Sequence, residues 1–209
     1  MTSQYGAGAC LEPTWQGYCE STLDALYLIE WCIRGDGKYV TRRPHDRERA
    51  SLIASGNIFI YKEQANGIKR WTDGIPWSPS RMLGNFLIYR ELDKPFKLGQ
   101  KRKTNHKENG VTKASSNHQP SSIRHAEGNA KTRALVGSLV DSYDFKKDGL
   151  IKKTISLSYN TTTHHIVSYY TIEDVESKIL HRPSETFLRD YTPRPELIQS
   201  SNFRVPIND

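Results

Sequence analysis

The sequence predicts an α+β domain: a mainly antiparallel β-sheet with a few short helices, built from two regions interlocked into one globular unit. Three observations lead there. Helical patterns are few and short, whereas the clearest strand pattern is a hairpin, Ile151–Tyr159 returning through His165–Tyr170. The second half holds one hairpin and one short helix in roughly fifty residues, too little to bury a core alone. A long polar stretch separates the halves, so strands from the second are expected to complete a sheet begun by the first while that stretch loops out.

The elements follow in order. A helix is expected from Thr22 to Arg34, with Ser21 and Asp24 as a capping box and Gly35 and Gly37 ending it. Leu23, Leu26, Ile29 and Ile33 define its apolar face. A second helix is expected from Pro44 to Ala54, Pro44 suiting the first turn and Gly56 stopping it. Asn57–Tyr61 and Phe86–Arg90 read as strands, and Asn66-Gly67 as a turn between them. In Ile151–Tyr159, Ile151, Ile155, Leu157 and Tyr159 share one face, and Lys152, Thr154, Ser156 and Ser158 the other. Lys153 conflicts with the apolar face, which an edge or frayed position would resolve. Asn160–Thr163 turns the chain. A last helix is expected from Ile172 to Ile179, capped by Thr171 with Asp174 at its third position.

Charge is unevenly placed along the 209 residues. Residues 1–93 hold eleven Lys/Arg and eleven Asp/Glu, residues 94–133 ten against two, and residues 134–209 nine against ten. The net +7 therefore resides in one short segment, and a specific grip on a polyanion has to come from a few placed cations in the folded parts. The organisation expected is a first region 8–93, a basic disordered linker 94–140, a second region 141–188 and an extended tail 189–209. Deletion of residues 100–133 is expected to leave the fold intact. No apolar run approaches the roughly 18 residues that span a bilayer, and the N-terminus shows neither the basic start nor the apolar stretch of a secretory signal. Three widely spaced cysteines suit a reducing compartment.

The stretch with most chemistry is Gly67-Ile-Lys-Arg-Trp-Thr-Asp-Gly-Ile-Pro-Trp-Ser-Pro-Ser-Arg81. It sets Lys69, Arg70 and Arg81 beside Trp71 and Trp77, and Thr72, Ser78 and Ser80 can donate to phosphates. Arginine suits a narrow A·T-rich minor groove or guanine in the major groove. Asp73 is placed to hold a guanidinium, accept from a cytosine amine, or serve as an acid or base. The alternative is that both tryptophans are core residues of a corner. In Lys38-Tyr-Val-Thr-Arg-Arg43, the adjacent Arg42 and Arg43 precede a helix start and can meet phosphates; pairing with Asp46 or Glu48 is the alternative. Lys152 belongs to the polar face of its strand and is a further candidate DNA contact. His164 and His165 face opposite ways there, which makes them poor joint metal ligands. No metal-ligand spacing, phosphate loop or nucleophile motif is present, so neither catalysis nor a cofactor is expected.

In order, Gly17-Tyr18, Asp24-Ala-Leu26, Val40-Thr-Arg-Arg43, Asp46-Arg-Glu-Arg49, Lys69-Arg-Trp-Thr-Asp-Gly74, Trp77-Ser-Pro-Ser-Arg81, Asn85–Glu91, Gly149–Ile155 and His164–Tyr170 resemble the WOPR-box, or white–opaque regulator, family of fungal transcription regulators. The resemblance covers about residues 14–93 and 148–184. It implies two interlocked regions around a β-sheet, joined by a variable linker. It implies a nuclear, sequence-specific protein that binds double-stranded DNA at A/T-rich sites through both grooves and is not an enzyme, with other transcription factors as further partners. On the matching positions, Thr41, Arg42, Arg43, Lys69, Arg70, Trp71, Thr72, Asp73, Ser80 and Arg81 become DNA-facing or loop-shaping. The long basic linker resembles budding-yeast members, and the family's polar C-terminal extension is missing, so the chain is expected to be part of a longer regulator. The competing readings are a protein-interaction module using the Trp71/Trp77 loop and a nucleic-acid-modifying enzyme.

Overall fold

The computed structural model of the protein describes residues 10–63, 67–96 and 131–207. Its centre is a six-stranded antiparallel sheet: β1 (Trp15–Gln16), β2 (Asn57–Lys62), β3 (Arg81–Leu83), β4 (Phe86–Arg90), β5 (Ile151–Tyr159) and β6 (Thr162–Tyr170), in spatial order β1-β2-β6-β5-β4-β3. The β5–β6 hairpin of the second region thus fills the gap between β2 and β4 of the first. β2 pairs with β6 from Ile58↔Ser168 to Lys62↔His164, and β4 with β5 from Leu87↔Thr154 to Arg90↔Ile151. Asn160 and Thr161, both at positive φ, close a two-residue hairpin turn.

Both faces of the sheet are covered. On one lies α1 (Thr22–Arg34), whose Ala25, Leu26, Leu28, Ile29 and Cys32 pack on Ile58, Ile60, Ile155, Leu157 and Ile166. The Ser21–Asp24 capping box forms as expected, and Gly35 ends the helix in the left-handed region. Leu23 and Ile33 are only half-buried. The buried arc is wider and turned toward Ala25, Leu28 and Cys32 because the helix touches the chain's final segment as well as the sheet.

On the opposite face, Phe59, Tyr61, Val167 and Tyr169 pack beneath Leu52, Ile53, Ile68, Trp71 and Trp77. Covering this face changes the reading of β5. Its supposed polar side is partly interior. Lys153 lies in a central strand, not at an edge, and is 3% exposed. Its ammonium donates to the Glu20 carbonyl at 2.6 Å and lies over the Phe86 ring.

Several boundaries differ from expectation. Helix α2 is Asp46–Leu52, not Pro44–Ala54. His45 holds the cap position, its amide bonded by the Glu48 carboxylate, and Ile53 leaves helical geometry to enter the core. Residues 131–140 are not linker: α3 spans residues 131–136, and Leu135, Val136 and Leu139 are buried, with the Tyr170 hydroxyl donating to the Leu135 carbonyl at 2.7 Å. A deletion of residues 100–133 would therefore cut into α3. Of the expected linker, residues 94–96 are described, whereas residues 97–130, and Asn66 of the expected turn, lie outside the described residues. Helix α4 is Ile172–Glu176; Lys178, at φ +57, ends it before Ile179. The tail is not merely extended. A 3-10 turn (Phe187–Asp190) buries Leu188 against α1 and helix α5 (Pro195–Ser200) packs on β5 with Leu197 in the same core, while Arg194 clasps the Glu30 carboxylate, itself 1% exposed.

Candidate nucleic-acid interface

The segment 67–81 crosses the face of the sheet opposite α1 and is anchored from below. Ser78 N donates to the Arg90 carbonyl and Leu92 N to the Pro76 carbonyl, which ties the segment to the end of β4. The aromatic platform beneath it comes from alternate positions of two neighbouring strands. Trp71 stacks on Tyr61 at 5.7 Å and lies 5.0 Å from Phe59; Trp77 stacks on Tyr169 at 6.1 Å. Both indole N–H groups point inward, Trp71 Nε1 to the Tyr169 hydroxyl at 2.7 Å and Trp77 Nε1 to Asp73 Oδ1 at 2.8 Å. Neither tryptophan offers its polar edge to a ligand.

Asp73 is the hub, at 4% exposure. Besides Trp77 it accepts from the Tyr169 hydroxyl at 2.7 Å, the Lys152 ammonium at 3.0 Å and the Ile75 amide. Burial pushes its pKa up, but the Lys152 charge and the Trp77, Tyr169 and Lys152 hydrogen bonds outweigh burial, and the pKa ends below the usual value. Burial lowers the Lys152 pKa, with Asp73 opposing, and raises that of Tyr169 together with the Asp73 charge. Asp73 therefore holds no guanidinium and is not presented as an acid, a base or a cytosine acceptor. Lys152 is corrected likewise: its ammonium lies 4.5 Å from the Trp77 ring centre and serves the loop from inside. Ser78 is buried, donating to the Pro79 carbonyl and accepting from Arg90 N, so it is not a phosphate donor.

Above this support lie the cations. Lys69 and Arg70 are exposed, with no ion pair among the described residues, and Thr72 is exposed beside them. Arg43 is also exposed and reaches across to donate to Thr72 Oγ1 at 3.3 Å, which joins the segment before α2 to the loop. Arg42 is committed elsewhere: its Nη1 and Nη2 meet the two Glu48 carboxylate oxygens at 2.6 and 2.7 Å. These bonds bring the Glu48 pKa down to about 2. Thr41, Arg42, Arg43, Arg49 and Thr72 rim an open concavity of about 660 Å³. At the other end of the loop, half-buried Arg81 donates to the Ser80 carbonyl and to the Tyr143 hydroxyl. The structure thus brings Thr41, Arg43, Lys69, Arg70 and Thr72 to one surface, and sets Ser80 and Arg81 apart against the segment after α3.

Sequence reasoning missed the platform and two supports. Tyr61 and Tyr169 sit on a face first read as polar. Gly74 has φ +78, and the Arg49 guanidinium lies so close to its Cα that a side chain there would meet it. The Asp-Gly pair at 73–74 was the available signal for such a backbone.

The family model described as Gti1/Pac2 matches residues 14–171. The chain belongs to the Gti1/Pac2 family. This is the WOPR-box resemblance already read from the motifs. Among Gti1/Pac2 relatives, the chain is 48% identical over 230 residues to the global transcription regulator sge1 of Verticillium dahliae, covering 97% of this chain and 45% of that protein. It is 31% identical over 278 residues to white-opaque regulator 1 of Candida albicans, covering 97% of this chain and 35% of that protein. The chain thus spans under half the length of these two curated relatives. Its structure resembles that of the Wor1 WOPR domain of Candida albicans in complex with a 13 bp double-stranded DNA, with a TM-score of 0.63 and 34% identity over 91% of this chain and 97% of the other.

Proposed function

We propose that this chain is the sequence-specific double-stranded DNA-binding part of a nuclear transcription regulator, and that it reads an A/T-rich site through contacts in both grooves. The observation that carries this reading is the cluster of cations with no ion pair among the described residues, Lys69 and Arg70 with Arg43 beside them, at a loop whose tryptophans and Asp73 are engaged beneath it with Lys152. Cations on such a platform meet phosphates and base edges without the ordering entropy of a free loop. Arg70 is the base reader in this reading; Arg43, Lys69, Thr41 and Thr72 serve the backbone. Arg81, held by Tyr143, meets the duplex at the far end of the loop, with Ser80 beside it. No protein side chain is asked to do covalent chemistry, in keeping with relatives named as transcription regulators.

Selection of random duplexes by the purified chain, followed by binding across a salt series, tests the reading. Affinity is expected to fall with a log–log slope of about −0.9 per neutralised phosphate. Arg70→Ala is expected to cost about 1–3 kcal/mol and to relax preference at one position. No enriched sequence and a flat salt response would overturn the reading; uniform weakening by Arg70→Ala would move that residue to the phosphate backbone.

A further inference from the structure

The face of the sheet turned away from the loop holds a recess apart from the proposed DNA-facing residues. Lys62, the last residue of β2, and His164 of β6 are cross-strand partners, so both side chains leave the sheet on the α1 side. With Tyr159, Asn160 and Thr162 around the β5–β6 turn and Arg194 ahead of α5, they line a recess of about 370 Å³. No residue lining it is acidic. The Lys62 ammonium lies 4.2 Å from the Tyr39 ring centre and has no carboxylate partner among the described residues. Arg194 and Arg34 share the one carboxylate of Glu30, so that cluster retains a positive charge.

His164 supplies the observation that points to a ligand. It is 2% exposed; its Nδ1 lies 2.9 Å from the Tyr39 hydroxyl, while its Nε2 is buried with no hydrogen-bond partner. Burial first, then the Lys62 and His165 charges, bring its pKa down to about 4, so the ring is neutral and has one N–H. With the Tyr39 hydroxyl donating to Nδ1, one of the two tautomers this contact allows, the ring hydrogen sits on Nε2. His164 lines the recess and Tyr39 does not. A buried N–H without an acceptor is a costly thing for a fold to retain unless something completes it.

We infer that this recess binds a small anion, a phosphate or a carboxylate, with His164 Nε2–H as the buried donor and Lys62 as the opposing charge. Asn160, Thr162 and Arg194 add donors at the mouth, and the volume lies at the small end of the range for ligand pockets, about 300–1,000 Å³. A ligand of acceptor oxygens matches a donor-lined, acid-free lining; a cation does not.

The test titrates inorganic phosphate, and in parallel acetate, into the full chain at constant ionic strength balanced with chloride, and follows the histidine ring ¹⁵N resonances. Phosphate is expected to shift His164 Nε2 saturably and leave His165 in place. Lys62→Met is expected to weaken phosphate at least tenfold while keeping the circular dichroism spectrum; Lys69→Met, on the loop, leaves phosphate binding unchanged. Saturation by acetate as well assigns a general oxyanion site, and by phosphate alone a tetrahedral one. If Lys62→Met does not fold, the wild-type His164 titration decides. A linear, non-saturating response would overturn the inference. So would displacement of phosphate by duplex DNA, because the recess would then be a DNA-backbone contact.

Discussion

Asp73 shows how much one side chain can determine. Four donors converge on its carboxylate, one of them the ammonium of a lysine that is itself largely buried. Asp73→Ala would leave Lys152 charged in the interior, so it is expected to cost about 3–5 kcal/mol in urea denaturation. DNA affinity should fall with it as the loop loosens. Lys153 is the opposite case, a charge without a carboxylate partner among the described residues, in the middle of the sheet. Burial lowers its pKa from 10.5 to about 8. Below pH 8 the folded state holds a buried charge that the unfolded chain keeps in water. From about pH 8 to 10.5 the unfolded state binds the extra proton, so this residue's contribution to stability rises with pH. Lys153→Met is expected to add about 1–3 kcal/mol at neutral pH and to flatten that rise, as read from denaturation at a series of pH values. The sequence exposed the conflict at Lys153 through period-two alternation. It did not expose the resolution, because a lysine satisfied by a carbonyl and two rings leaves no local pattern.

Among the elements, those governed by local rules were legible and those ended by tertiary contacts were not. The Ser21–Asp24 box and Gly35 fixed α1 at both ends, and alternation with β-branched and aromatic residues located β2, β4, β5 and β6. Helices α2 and α4 were read too long, since Ile53 leaves its helix to reach the core and Lys178 takes a left-handed backbone, neither of which periodicity encodes. Helix α3 was hidden by its setting: three buried apolar residues directly follow a long polar run, and averaging over the run concealed them. In the candidate site the cations and tryptophans were legible by type. The pairing of Arg42 with Glu48, six residues on, was among the sequence alternatives; the engagement of Lys152 was not legible, because it depends on Asp73 arriving from 79 residues away. The β5–β6 turn is locally improvable. Thr161 is β-branched yet sits at φ +60, where glycine is at ease. Thr161→Gly is expected to stabilise the protein by about 1 kcal/mol, measured as a raised urea midpoint with unchanged slope.

At the scale of the whole molecule, three stretches distant in sequence close one body. The first region supplies the outer strands, the second the central hairpin, and the final segment seals α1. Truncation after residue 186 would remove Leu188, Leu197 and Arg194, exposing α1 and leaving Glu30 with Arg34 alone. The expected loss is about 5 kcal/mol or more, comparable to the whole stability of an ordinary domain, and should appear as a lost or strongly shifted cooperative transition. The polar spacing and prolines of this segment carry no local mark of this role, since two well-placed leucines and one arginine suffice for it. The strand order also has a consequence for how the protein is made. β2 and β4 are complete when residue 90 is synthesised, but the hairpin that separates and joins them ends at residue 170. At about 5–20 residues per second, the nascent chain spends roughly 4–16 s with two adhesive strand edges open and their filler still unmade. In that interval a neighbouring nascent chain can offer its own strands instead, so crowding on a shared messenger becomes a hazard that a sheet with sequential neighbours largely avoids.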